Sequence, residues 1–243
     1  MNIYHITYVP RTKSAHLYFW GCNLNCRACV RLKETYDYHL KDRVSNSVEE
    51  SPKTPERFLA LEEVISILRK LDINEVIFMG AEPSIDPRLP QLAEVLHQEF
   101  GSHNILLTNG LKLFDPRHID EVVFSLKART DTIHKDYTRK SNKEALKNFV
   151  TLYQSSIKLR TESVFIPVYI DGLEIENIAR FIAGVDNRIP YRIDAYIPVG
   201  DNPWRQPTPK EMEKAVSIAR KYLRNVSCLS RSNELKYDVV RIF

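Results

Sequence analysis

Cys22, Cys26 and Cys29 stand in a C-x3-C-x2-C spacing, within Phe19-Trp20-Gly21-Cys22-Asn23-Leu24-Asn25-Cys26-Arg27-Ala28-Cys29. They are three of the chain's 4 cysteines, and an apolar run over residues 17–20 leads straight into them. Three thiolates this close on an irregular loop can converge on one metal centre without help from the rest of the fold. An iron–sulfur cluster takes four thiolates as a rule. No fourth cysteine is near, so such a cluster would keep one iron open. Three other readings stay open. Free cysteines pack in cores as small hydrophobes. A structural zinc ion wants a fourth Cys or His at short spacing; His16 and His39, the nearest candidates, lack finger-like spacing. A disulfide framework is disfavoured, because three cysteines cannot pair among themselves and the chain is neither small nor visibly secreted.

The cysteine spacing after a strand resembles the cluster loop of the radical S-adenosylmethionine (SAM) enzymes, and Gly21 and Asn23-Leu24 fit the usual form of that loop. The resemblance implies that Cys22, Cys26 and Cys29 hold a [4Fe–4S] cluster whose open iron is chelated by the amino and carboxylate groups of SAM. Ala28 departs from the pattern: the family often has an aromatic residue there, near the adenine, so that contact has to come from elsewhere. Gly80-Ala81-Glu82-Pro83 resembles the family's Gly-Gly-Glu-Pro segment, which holds the methionine amino group of SAM. A turn with exposed carbonyls and a carboxylate suits an ammonium donor. Ala81 for the second glycine is tolerable where φ is below zero. Taken alone, so short a match reads as a simple strand-to-loop turn; its place one β/α unit after the cysteines recommends it.

Two further segments are similar to the glycyl-radical-enzyme activating enzymes, the subfamily of the pyruvate formate-lyase type. Thr108-Asn109-Gly110 matches a tripeptide that lies near SAM there, although Asn-Gly is a turn signal in its own right. Phe124-Ser125-Leu126-Lys127 resembles an Asp-x-Lys pattern in which both residues approach SAM. Lys127 matches; Ser125 supplies a hydroxyl but no charge. Residues 131–149 also read like that subfamily, with an acidic turn, His134-Lys135 and Tyr137-Thr138. Ser141-Asn142 then opens a helix, with Ser141 and Glu144 spaced as a capping box. An Arg from the fifth strand approaches SAM in those enzymes; Arg160 stands for it, with a solvated charge as the equal alternative. After the sixth strand they often carry a His, where this chain has Pro198-Val199-Gly200-Asp201. Trp204 in that loop reads as a substrate-side wall or as rim packing. Cys228 reads as a core residue rather than a ligand. Tyr137, Tyr169, Tyr191 and Tyr196 read as structural before they read as a radical relay.

These segments need strands to present them. Residues 1–15 read as an extended lead-in, and residues 16–20 as the first strand. Beyond a polar excursion over residues 42–55, helical stripes alternate with short apolar runs. Helices are expected over 58–71, 90–100, 143–155, 175–183 and 208–223. Strands are expected over 75–79, 104–108, 121–126, 159–170 and 191–197, with short final strands over 226–229 and 238–242. Strand–helix alternation implies parallel pairing through right-handed crossovers. About six main strands are too few for a closed eight-strand barrel, so the expectation is a single α/β domain, a partial (β/α)6 barrel, with a C-terminal extension over about 225–243. An ordinary doubly wound sheet is the alternative. Either way, ligands gather at the C-terminal strand ends.

The composition sets the outer bounds. A chain of 243 residues with 43% hydrophobic and 27% charged residues suits one soluble α/β unit. No apolar run reaches the ~20 residues of a membrane span, and the first residues lack a signal-peptide pattern, so the expected compartment is the cytoplasm. The net charge of +4 is too mild to argue for nucleic acid. The resemblance implies an oxidoreductase that takes an electron from a ferredoxin or flavodoxin and cleaves SAM to a 5′-deoxyadenosyl radical. That radical takes hydrogen from a substrate, expected at an open groove and in a partner protein. A small-molecule enzyme of the deazaguanine-synthase kind and a non-catalytic zinc or iron–sulfur module are the alternatives.

Overall fold

The computed structural model describes residues 1–37, 40, 54–230 and 238–243. The polar excursion expected over residues 42–55 lies outside the described residues except for Thr54 and Pro55, and so does His39. The strands are β1 (Ile3–Val9), β2 (Ser14–Phe19), β3 (Glu75–Gly80), β4 (His103–Thr108), β5 (Glu121–Ser125), β6 (Lys158–Phe165), β7 (Tyr191–Ala195), β8 (Val226–Leu229) and β9 (Val240–Arg241). The helices are α1 (Leu61–Leu68), α2 (Leu89–Phe100), α3 (Asp131–Thr138), α4 (Lys143–Gln154), α5 (Gly172–Val185) and α6 (Pro209–Ala219). All nine strands join one sheet in the order β8-β7-β6-β5-β4-β3-β2-β1-β9.

From β2 to β8 every neighbour is parallel, and helices α1, α2, α4, α5 and α6 lie between successive strands. Their apolar stripes cover one face of the sheet. Val64, Leu68, Leu92, Leu96, Phe149, Ile178 and Ile182 pack there against Leu17, Phe78, Leu106, Phe124 and Ile193. The opposite face carries Arg160, Glu162, Arg192 and Asp194, all half-buried and alternating with buried neighbours, as a pleated strand requires.

Several expectations need correction. Residues 3–9 form strand β1, antiparallel to β2 and to β9, so the sheet is not wholly parallel. Every residue of β1 is buried; a strand covered on both faces shows no alternation to read. The short strand expected over 226–229 forms as β8 and pairs with β7 along its whole length, which brings the parallel strands to seven. Residues 131–138 form α3 rather than a turn. Its DTIHKDYT sequence buries only His134, Tyr137 and Thr138, too few to print a stripe. The capping box expected from Ser141 and Glu144 does not form. Ser141 donates to Asp131 Oδ1 at 2.7 Å, and Asn142 occupies the cap position. Strand β6 stops at Phe165, five residues early, because Ile166 and Ile170 close a tight turn. At its tip Val168 has φ +69° and is 90% exposed. Cys228 is exposed, not core, because β8 is an edge strand that buries only Val226.

Candidate functional site

The three-cysteine loop leaves the C-terminal end of β2. Cys22 is exposed, Cys26 and Cys29 are half-buried, and all three are free thiols. The loop is held mainly from the far side of the sheet. Asn25 N donates to Thr138 O at 3.0 Å and Arg27 N to Tyr137 O at 2.9 Å, both on α3. Asn202, beyond β7, donates to Arg27 O at 2.7 Å. The Arg27 guanidinium pairs with Asp136 at 2.7 Å and lies 4.7 Å over the Trp204 ring. Trp204 stacks on Tyr169 at 4.3 Å, and the Tyr169 hydroxyl donates to Asp136 at 2.5 Å. Trp204 is therefore rim packing.

Burial pushes the Cys22 thiol up and the Cys26 thiol up to about 12; each also senses the charge of Cys29. Among the described residues, no three His, Cys, Asp or Glu side chains close to single-ion distance. Ala28 is buried in a mouth cluster with Tyr137, Ile166, Ile170, Tyr196 and Val199.

The segment Gly80 to Pro83 is tied to the same loop. Ala81 N donates to Phe19 O and Glu82 N to Gly21 O, each at 3.0 Å. Gly80 sits at φ +111°, and a Cβ there would lie 2.6 Å from Phe19 O, so no other residue fits. Ala81 avoids positive φ, which is why it replaces a glycine without strain. Glu82 is 1% exposed. Its carboxylate accepts from Ser84 N at 3.2 Å, Ser84 Oγ at 2.5 Å, Thr108 Oγ1 at 2.7 Å and Asn109 N at 2.7 Å. Burial pushes the Glu82 carboxyl up, and these four donors oppose that shift. Asn109 closes the ring by donating to Asn23 Oδ1 at 2.8 Å and to Cys22 Sγ at 3.6 Å. Cys22, Asn23, Glu82, Thr108 and Asn109 are thus one connected unit spanning the ends of β2, β3 and β4.

Lys127 and Ser125 lie at the end of β5. Lys127 Nζ donates to Ser125 Oγ at 2.7 Å, and Ser125 Oγ donates to Glu162 Oε1 at 3.1 Å. Glu162 also accepts from Arg192 at 2.6 Å, and Arg192 holds Asp194 through two bonds of 2.7 and 2.9 Å. Burial pushes the Lys127 ammonium down, but Cys26, Glu162, Cys29 and Cys22 outweigh it and hold the ammonium above its ordinary value. Arg160 is not brought into this group. It pairs with Glu121 at the N-terminal end of the sheet, beside Lys158. Glu162, two residues on, is the β6 side chain that reaches the site. Sequence reasoning missed Glu162, Arg192 and Asp194. Their signal is charge at every second position of β6 and β7, on strands whose other positions are buried.

Comparison with known proteins gives the family and the fold. The profile of the radical SAM superfamily matches residues 18–185. A protein of Methanocaldococcus jannaschii, provisionally named a glycyl-radical enzyme activating enzyme, is 28% identical over 231 residues, covering 92% of this chain and 83% of that one. A radical SAM methyltransferase from Sphaerobacter thermophilus superposes with a TM-score of 0.66 at 16% identity, over 93% of this chain and 69% of that one. A domain of a pyruvate-formate lyase-activating enzyme from Bacteroides vulgatus superposes with a TM-score of 0.54 at 20% identity, over 65% of this chain and 99% of that one. With the profile spanning well over half its length, this chain belongs to the radical SAM superfamily, whose cofactors are a [4Fe–4S] cluster and S-adenosylmethionine.

Proposed function

We propose that the chain is a radical SAM oxidoreductase of the activating-enzyme kind, which delivers its radical to a partner protein and draws its electron from a ferredoxin or flavodoxin. The observation that carries the site assignment is the set of three free thiols on one loop, tied through the Asn109 bond to Cys22 to the rim that carries the Glu82 ring, with Lys127 at the neighbouring strand end. This donor set fits a cluster with one open iron. When bound, the cluster and SAM together supply reductive cleavage to methionine and a 5′-deoxyadenosyl radical, which abstracts hydrogen from the substrate. The protein's part is orientation and exclusion of water.

In this reading Cys22, Cys26 and Cys29 hold the cluster. A carboxylate has about four lone-pair positions; three protein donors fall on Glu82 Oε1 and one on Oε2, so Oε2 keeps an acceptor position. Glu82 thus fixes the loop and, with carbonyl oxygens of the Gly80–Pro83 segment, meets the methionine amino group. Lys127 meets an oxygen of SAM. Thr108 and Asn109 bind Glu82 and steady Asn23. Tyr137 and Tyr196, in the cluster around Ala28, would offer rings for the adenine contact that Ala28 cannot make. The provisional name of the Methanocaldococcus relative supports transfer to a protein glycine.

A second reading has a specific observation behind it. Glu162, Arg192 and Asp194 converge on the face opposite α1, α2, α4, α5 and α6, and charged groups inside a site suit an enclosed small polar substrate. Anaerobic reconstitution of four single Cys→Ala variants tests the cluster assignment: iron should be lost at Cys22, Cys26 and Cys29 and kept at Cys228. Full iron retention in any of the first three would sink it. Reduced enzyme with SAM is then offered candidate partner proteins and, separately, purified metabolites. An organic radical on a partner supports the activating reading; turnover with a metabolite alone replaces it with the second.

A further inference from the structure

Lys127 does not stand alone on its strand end. Its ammonium has only donors, the Arg192 guanidinium has only donors, and the carboxylate of Glu162 has only acceptor sites when ionised. The hydroxyl between them has one polarity open to it. Ser125 accepts from Lys127 at 2.7 Å and donates to Glu162 at 3.1 Å. Ser125 and Glu162 are direct partners in the β5–β6 register, and Glu162 and Arg192 are direct partners in the β6–β7 register. Glu162 is in turn pinned from its other side by Arg192 at 2.6 Å. Its side chain is 15% exposed, so it is shielded from water, yet paired.

We propose that Glu162 is a positioning residue that, acting through the Ser125 hydroxyl, fixes the Lys127 ammonium for an oxygen of S-adenosylmethionine. The physical need is clear. A lysine has four rotatable stem bonds, and ordering it on binding costs rotamer entropy. An anchor on β6 orders the ammonium before the ligand arrives, and such preorganisation raises affinity. Asp194 keeps Arg192 from drawing Glu162 away, since it holds the guanidinium through two bonds. The inference rests on SAM binding and is independent of whether the substrate is a protein or a metabolite.

The test is titration calorimetry of SAM into reconstituted protein, with a melting curve for each cluster-free variant. Glu162→Gln keeps the shape and removes the charge, and should weaken SAM binding about tenfold, the effect of one charged hydrogen bond. Ser125→Ala should do the same, and it carries the prediction if Glu162→Gln fails to fold. The decisive variant is Ser125→Asp with Glu162→Gln. A carboxylate at position 125 would meet the ammonium directly, so affinity should return to within about threefold of wild type. A merely structural role for Glu162 predicts no such rescue. Wild-type affinity in Ser125→Ala and Glu162→Gln, or a double variant no tighter than Glu162→Gln, overturns the proposal. Wild-type protein that binds no SAM overturns the cofactor assignment with it.

Discussion

Two single residues carry sharp expectations. Glu82 satisfies two buried backbone amides and two hydroxyls. In Glu82→Ala those donors lose their acceptor without gaining water, at ~1–3 kcal/mol for a buried group. Urea unfolding of the cluster-free protein should therefore show a loss of ~3 kcal/mol, and an unchanged midpoint would refute the ring as a structural unit. Val168 is the opposite case. A β-branched residue at φ +69° is strained, and its 90% exposed side chain packs against little. Val168→Gly should raise stability by ~1 kcal/mol, the strain relieved minus the added freedom of the unfolded glycine; a lower melting temperature would argue against strain. At this scale the sequence was legible in position: Cys22, Gly80, Asn109 and Lys127 were expected where strands end, and they lie at the C-terminal ends of β2, β3, β4 and β5. Glu162 and Asp194 were not legible, because a charge on a strand reads as a solvated face until the sheet shows which side is enclosed. Arg160 failed for the same reason: the right residue type stood at the wrong end of β6.

At the scale of elements, α3 and β1 have the most to answer for. Helix α3 holds the cysteine loop through its last carbonyls and through Asp136, which binds both Arg27 and Tyr169. The Arg27–Asp136 pair is part-exposed and worth ~0.2–1 kcal/mol, with the cation–π contact adding ~0.5–1. Arg27→Ala should thus leave the fold intact but speed loss of iron to a chelator severalfold, followed by absorbance; an unchanged half-life would mean that the backbone bonds suffice. In β1, His5 is fully buried against Tyr4, Tyr18 and Tyr36, with Nδ1 on Phe243 O at 2.5 Å. Burial pushes its pKa down from 6.5 to about 4. The unfolded chain then binds the proton first, so this contribution is complete above about pH 6.5 and is lost as pH falls towards 4. The loss should reach ~3 kcal/mol. Burial lowers His134 in the same direction. Urea midpoints between pH 7 and 4 should fall, and the slope should flatten in His5→Gln; an equally steep slope in that variant would assign the effect elsewhere. Neither element was legible from pattern, since β1 is buried on both faces and α3 on almost none.

For the whole molecule, alternation of apolar runs and helical stripes was enough to give a parallel sheet with its ligand edge at the strand ends, and the observed order from β2 to β8 agrees. What escaped it was closure of the edge by antiparallel β1 and β9, a pairing between the two ends of the chain that no local pattern encodes. Among the described residues no helix is long and apolar enough to cross a membrane. The hold of α3 on the cysteine loop also has a meaning in time. Arg27 and its partner Asp136 are 109 positions apart. A ribosome adding 5–20 residues per second leaves roughly 5–20 s between them. Throughout that interval the nascent chain displays all three thiols with no α3 or β7 loop to shape them. A pause in synthesis before residue 139 would extend the window in which those thiols stand open to oxidation.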